Sequence, residues 1–187
     1  MIPKRKTCLK LLRENKVPEH VINHSLTVEK VALFIAREIN LATNRDSNKL
    51  DYDLISAGAL LHDIAKIKAM EIGEHHGELG GEMVKKMGFP KVADSVKQHI
   101  RLDSYDKMGE ITEAEVINYA DKRVTHDSVV SLSERFSDIR RRYGKGSGII
   151  LARIEKSRKL TLIVEERIFE ALPFTPDDLL KKMESID

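Results

Sequence analysis

An all-α fold is predicted by three features of this 187-residue chain. Apolar residues recur at helical spacing along nearly its whole length, no convincing period-two run interrupts them, and the clearest breaks carry proline, glycine or capping residues. Residues 4–15 read as a short helix bearing Leu9, Leu11 and Leu12. Pro18 suits the first position of a second helix, which runs to about Leu41 on the stripe Val21, Val28, Val31, Ala32, Ile35 and Ile39. Polar residues 43–48 form a loop. A third helix is expected over residues 51–68, with Leu54, Gly58, Leu61 and Ala65 on one face. Residues 74–81, rich in Gly and His, bend into a helix closed by Gly88. Residues 90–100 form another, on Val92, Val96 and Ile100. Thr112, with Glu115 three residues on, is a capping box for a helix through Asp121 to about His126. A helix over residues 131–143 follows. The run Gly144-Lys-Gly-Ser-Gly148 is the clearest break. Beyond it lie a charge-laced helix over residues 149–172, stops at Pro173 and Pro176, and a short helix from Asp177. The expected organisation is a bundle over residues 1–143, its core at 18–143, and a helical appendage over 144–187.

Composition narrows the function classes. Hydrophobic residues make up 41%, enough for a real core, so disorder is not expected. Aromatics are only 5% and Trp is absent, which argues against a nucleic-acid binder built on stacking platforms. Lys and Arg number 32 against 30 Asp and Glu, a net +2, so no field of one sign attracts a phosphate backbone or an anionic membrane. The single cysteine, Cys8, excludes a disulfide framework and a Cys-based zinc site. The first ten residues are charged with no apolar signal stretch, and no run approaches a membrane span. A cytoplasmic protein with no membrane partner is expected. Histidine is the unusual entry: there are seven, all between His20 and His126.

Those histidines occupy places that a core reserves for apolar side chains. His24 lies on the stripe between Val21 and Val28, at spacings of three and four. His62 and Asp63 interrupt the run Ala59-Leu-Leu61, His99 follows Val92 and Val96 on their face, and Asp121 is four residues from Ile117 and three from Val124. A buried polar group needs a hydrogen bond and a buried charge needs a partner. Any one of these residues alone reads as an ordinary hydrogen-bonded side chain. Asp63 alone would cap a helix or pair with Lys66, and Asp121 would pair with Lys122 or Arg123, although those two neighbours point to other faces of the helix. Five such residues between His24 and Asp121 point instead to a metal ion, which satisfies them together.

The order His24, the doublet His62-Asp63, then Asp121 resembles the HD-domain superfamily of metal-dependent phosphohydrolases. The local texts Val21-Ile-Asn-His-Ser-Leu-Thr-Val28, Ala59-Leu-Leu-His-Asp-Ile-Ala-Lys66 and Ile117-Asn-Tyr-Ala-Asp-Lys122 carry the resemblance, over residues 18–143. It implies an HD-domain helical bundle in which His24, His62, Asp63 and Asp121 are metal ligands. Many relatives add two histidines for a second ion, and His76-Gly-Glu-Leu-Gly80 and Val96-Lys-Gln-His99 resemble those elements, which adds His76 and His99 and makes Asp63 a bridge. His75 competes with His76, and the family pattern that the resemblance implies, a His followed four residues later by Gly, favours His76. Two divalent ions follow, iron or manganese suiting a mixed His and carboxylate set, with zinc, nickel and magnesium also compatible.

The activity implied is cleavage of a phosphomonoester or phosphoanhydride, with a nucleotide as the leading substrate, by metal-activated water. Asp63 and Lys66 are the catalytic candidates. Lys66, Arg101, Lys122 and His20 are the candidates for binding substrate, with Arg123 a further cation for phosphate. Each has a plainer reading: a solvated helix-end lysine, a surface arginine, a rim histidine. His126 reads as structural. Two alternatives belong to other classes: a di-iron oxygenase on a small polar substrate, and a non-catalytic nucleotide- or RNA-binding regulator using the basic segment of residues 140–159. Glu134, Asp138 and Glu155 make that segment a solvated face instead. The appendage would pack on the bundle, form a homodimer contact or cover the pocket.

Overall fold

The computed structural model describes residues 1–43, 49–103, 109–144 and 146–184; all but Thr43 of the loop expected at 43–48, and Lys145 of the glycine break, lie outside the described residues. Ten helices and one two-stranded hairpin form among the described residues. In order they are α1 (Arg5–Glu14), α2 (Glu19–Ala42), α3 (Tyr52–Leu61), α4 (Lys66–Ile72), α5 (His76–Lys86), α6 (Pro90–Gln98), α7 (Glu113–Lys122), β1 (Val124–Thr125), β2 (Ser128–Val129), α8 (Leu132–Tyr143), α9 (Gly148–Glu170) and α10 (Pro176–Glu184). The fold is all-α, and no helix among the described residues is long and apolar enough to cross a membrane.

Local chemistry accounts for the helix ends. Pro18 is the residue just before α2, in extended conformation, rather than its first residue. The Thr112 hydroxyl accepts from the Glu115 N–H and the Glu115 carboxylate accepts from the Thr112 N–H, so the expected capping box starts α7; Ser131 and Glu134 repeat it at α8. Gly88 has φ 91°, a left-handed conformation that glycine adopts without strain, just after α5.

Two elements differ from the sequence reading. The single helix expected over residues 51–68 stops at Leu61 and resumes as α4 at Lys66. Between them the chain tightens into three-residue turns, Ile64 N–H to Leu61 O at 3.1 Å and Lys66 N–H to Asp63 O at 3.0 Å. The Ala59 carbonyl, which a continuing helix would use to accept the Asp63 N–H, bonds His62 Nδ1 at 2.7 Å. A side chain thus competes with the helical ladder and ends it. The helix expected to reach about His126 ends at Lys122. The chain then forms an antiparallel hairpin pairing Val124 with Val129 and Thr125 with Ser128, and His126 takes φ 56° in its turn.

Packing builds two apolar clusters. One joins α1, the start of α2, α5 and α6 through Leu12, Ile22, Leu60, Val84 and Val96. The other joins the rest of α2 to α7, α8, α9 and α10 through Val28, Ile35, Ile117, Phe136, Ile168 and Leu179. α2 and α3 contribute to both; His24 lies in sequence where α2 passes from one cluster to the other, while His62 and Asp63 follow α3 between Leu61 and Ile64 of the first. Arg123 sits inside the second cluster, 1% exposed, and is not a cation open to phosphate. Its guanidinium donates to Val130 O at 2.7 Å, Tyr119 Oη at 2.5 Å and Pro176 O at 3.1 Å and pairs with Glu165 at 3.3 Å, which ties α7 to α9 and α10.

Gly58 is where α3 comes closest to its neighbours. A Cβ there would lie 2.5 Å from Ile117 Cδ1 of α7 and 3.3 Å from Ser95 Cβ of α6. Gly58→Ala is therefore expected to overpack a buried junction and lower stability by about 1–3 kcal/mol, read as a lower urea midpoint at unchanged slope.

Candidate metal centre

Histidine is aimed by what its outer ring nitrogen touches, and three of the histidines here are aimed in the same way. Nδ1 of His24 lies 2.7 Å from His126 O in the hairpin turn, Nδ1 of His62 lies 2.7 Å from Ala59 O, and Nδ1 of His99 lies 2.6 Å from Val96 O. A carbonyl only accepts, so each Nδ1 carries the proton and each Nε2 of a neutral ring presents a lone pair. His62 and His99 are the residues that close α3 and α6, and each caps a carbonyl three residues back on its own chain.

The Nε2 atoms converge with two carboxylates. His24, His62 and Asp121 form one group of atoms able to hold a metal ion, and Asp63, His76 and His99 form a second, with each group's ligand atoms within 4.8 Å of one another. His24 Nε2 lies 3.1 Å from Asp121 Oδ1, and His62 Nε2 lies 3.8 Å from the same oxygen. In the second group, Asp63 Oδ1 is 3.3 Å from His76 Nε2 and 3.7 Å from His99 Nε2, while Asp63 Oδ2 is 3.5 Å from His62 Nε2. Asp63 therefore lies between the groups. The imidazoles run in a row, with ring centroids 5.3 Å apart for His24 and His62, 4.9 Å for His62 and His99 and 5.1 Å for His99 and His76.

This arrangement fits a divalent cation. His62 Nε2 is buried and has no hydrogen-bond partner among the described residues, although two carboxylates lie nearby. His99 and His76 turn Nε2 atoms toward each other at 3.3 Å. Lone pairs facing lone pairs in a buried pocket repel unless a proton or a cation lies among them.

The electrostatics follow from burial and neighbours. Burial works against ionisation of Asp63, but His62, the contact with His76 and Lys66 hold its carboxyl well below the usual range. Asp121 is likewise buried, and Lys122, His24, Arg135 and His62 hold its carboxyl well below that range. His99 goes the other way: burial, with His62 and His76 beside it, pushes its imidazole down to about 3, so it is neutral at ordinary pH. Burial opposes protonation of His62 too, yet Asp63 and Asp121 outweigh it and raise its pKa.

The remaining candidates from the sequence divide by position. Lys66 Nζ donates to Asp63 Oδ2 at 2.6 Å from a one-third exposed side chain at the rim. Lys122 is buried, and its ammonium donates to Asp121 Oδ2 at 2.8 Å and to His99 O at 2.7 Å. Its flexible stem thus reaches a carboxylate that helix geometry alone assigns to another face. His20 and Arg101 are exposed, and among the described residues no hydrogen bond or ion pair joins either to the cluster. His75 is exposed and precedes α5, while His76 enters the cluster. His126 contributes its backbone carbonyl. The sequence reading missed Arg135, whose Nη2 lies 3.5 Å from Asp121 Oδ1. The signal was present: Arg135 sits three residues after buried Leu132 and four before Ile139, on the apolar stripe of α8.

The HD domain family model matches residues 21–125. A tRNA (cytidine(56)-2'-O)-methyltransferase of Picrophilus torridus is 30% identical over 71% of this chain, and a ribonuclease Y of Fusobacterium nucleatum is 35% identical over 44% of it. The chain spans 40% and 15% of those relatives' own lengths. The crystal structure of a predicted HD superfamily hydrolase from an uncultured Thermotogales bacterium superposes with a TM-score of 0.48 at 20% identity, covering 88% of this chain and 91% of that one.

A proton and a cation compete for each imidazole Nε2. Since the carboxylates raise the pKa of His62, metal uptake must displace a proton there over a wider range than an isolated imidazole requires. Manganese bound at equilibrium is therefore expected to fall as pH drops, with the loss beginning above the ordinary imidazole midpoint of about 6.5. Dialysis against manganese from about pH 8 to about pH 5, with elemental analysis, measures it; bound metal that is constant across this range contradicts imidazole ligation.

Proposed function

The chain belongs to the HD domain family, and on that premise we propose that it is a metal-dependent phosphohydrolase that cleaves a phosphomonoester or phosphoanhydride of a nucleotide. The observation that carries this reading is the buried, partnerless Nε2 of His62 between two carboxylates, a position made for a cation. His24, His62 and Asp121 would hold one divalent ion and His76, His99 and Asp63 a second, with Asp63 shared. When bound, such ions act as Lewis acids toward a phosphoryl group and lower the pKa of water. Iron or manganese suits this donor set.

The chain's own groups supply the rest. The carbonyls of Ala59, Val96 and His126 hold three rings with Nε2 inward, so the ligand set is oriented before anything binds. Lys66 holds an ammonium at the rim, within reach of an anion entering over Asp63. Cys8 is no nucleophile: it is buried in the core, and burial pushes its thiol up to about 12. Residues 18–143 form the catalytic bundle in this reading, and residues 144–187 support α7 through Arg123, Glu165 and Pro176.

Metal analysis followed by a phosphate-release screen over nucleotides and a strand-cleavage assay on a short oligoribonucleotide, with manganese or iron supplied, tests this function. The oligoribonucleotide is included because two relatives carry names that refer to RNA. Phosphate release without oxygen supports hydrolysis, while turnover that consumes oxygen and releases no phosphate supports an oxygenase instead. His99→Ala is expected to lower the metal content by one ion per chain; unchanged content removes the second site. Lys66→Ala is expected to retain all metal, since an ammonium is no ligand, while kcat/KM falls by roughly tenfold to hundredfold. Unchanged kcat/KM at full metal content makes Lys66 a counter-ion of Asp63 alone.

A further inference from the structure

The cluster carries more positive charge than its carboxylates require. Asp63 and Asp121 are ionised and buried. Three permanent cations contact them: Lys66 on Asp63 at 2.6 Å, Lys122 on Asp121 at 2.8 Å and Arg135 on Asp121 at 3.5 Å. One cation per carboxylate would balance the pocket, and divalent ions would add to the excess. Lys66 and Arg135 both stand partly open to solvent, so the surplus charge lies where an entering anion can meet it.

Arg135 has the geometry to receive it. Its side chain is 15% exposed, and its Nε is buried with no hydrogen-bond partner among the described residues. Nη2 stands 3.5 Å from Asp121 Oδ1, too long for a strong charge-assisted bond. The Nε–Nη2 edge is the one with which a guanidinium grips two oxygens of a carboxylate or phosphate at once. Lys122, by contrast, is buried and already gives two of its three donors to Asp121 and the His99 carbonyl. Lys66 stands at the Asp63 end of the cluster and Arg135 at the Asp121 end.

We infer that Arg135 is a phosphate-binding residue of this site, taking two non-bridging oxygens of the substrate's phosphoryl group on its Nε–Nη2 edge while Lys66 meets the group from the opposite end. This inference rests on the phosphohydrolase reading and adds a residue from α8 to it. Binding draws the guanidinium from Asp121 to the phosphate; no covalent bond is made or broken by Arg135.

Isothermal titration of inorganic phosphate into the manganese-loaded full chain tests it, comparing the parent with Arg135→Gln and Arg135→Lys and measuring manganese in every sample. Arg135→Gln is expected to keep its manganese and to bind phosphate on the order of tenfold to hundredfold more weakly, with Arg135→Lys restoring part of the loss, since an ammonium replaces the charge but not the two-pronged grip. Equal phosphate affinity in all three at full manganese content overturns the inference alone and makes Arg135 a counter-ion of Asp121. Loss of manganese from Arg135→Gln also overturns it, by showing that the arginine positions Asp121. A metal-loaded parent that binds no phosphate overturns it as well. A parent that takes up no manganese removes the phosphohydrolase reading and this inference together.

Discussion

Two ionised carboxylates held inside a helical core are the constraint around which this molecule is organised. Asp63 is 2% exposed and Asp121 is 7% exposed. Taking such a charge out of water costs several kcal/mol unless opposite charge and hydrogen bonds surround it. The surrounding groups come from α2, α4, α5, α6, α7, α8 and the turn after α3, so one pocket draws on nearly every element of the bundle. The bond that turns His62 toward this pocket also breaks the chain after α3. The polar centre therefore shapes the apolar packing as much as the packing encloses it.

Helix ends do much of the positioning. The last carbonyls of a helix lack partners within it and must find them elsewhere. At the ends of α3 and α6 those partners are the rings of His62 and His99, and the bond that satisfies the carbonyl also turns Nε2 toward the pocket. Asn118 and Lys122 on α7 donate to the carbonyls of Gln98 and His99, which fastens the end of α6 to the helix carrying Asp121. The hairpin has the corresponding role for His24, because the left-handed turn at His126 brings a carbonyl to its Nδ1. At His62 and His99, meeting a helix-end carbonyl and turning Nε2 toward the pocket are one contact.

Much of this was legible in the chain before any coordinates. The helices follow from an apolar period that survives across long stretches, and polar side chains on those stripes marked His24, His62, Asp63, His99 and Asp121. Arg135 bears the same mark and was passed over, because an arginine among Glu134 and Asp138 reads first as part of a solvated face. The hairpin was not legible: strands of two residues carry no period. The break after Leu61 was hidden for a related reason. The residues from Asp51 to Lys68 suit a helix throughout, and only the bond from His62 to Ala59 interrupts it.

By itself the sequence determined which side chains are polar on buried faces, where helices are capped and which residues offer ligand atoms, since these depend on neighbours within four positions along the chain. The tertiary structure alone decided how those atoms are grouped. His24 meets Asp121 across 97 positions, Asp63 meets His76 and His99 from separate helices, and Arg123 and Lys122, adjacent in sequence, diverge, one into the core beneath α9 and α10 and one into the pocket. Periodicity assigns a residue to a face of its helix, but the partner on the opposing face, and hence the charge and direction of each ring nitrogen, exists only once helices distant in the chain have packed together.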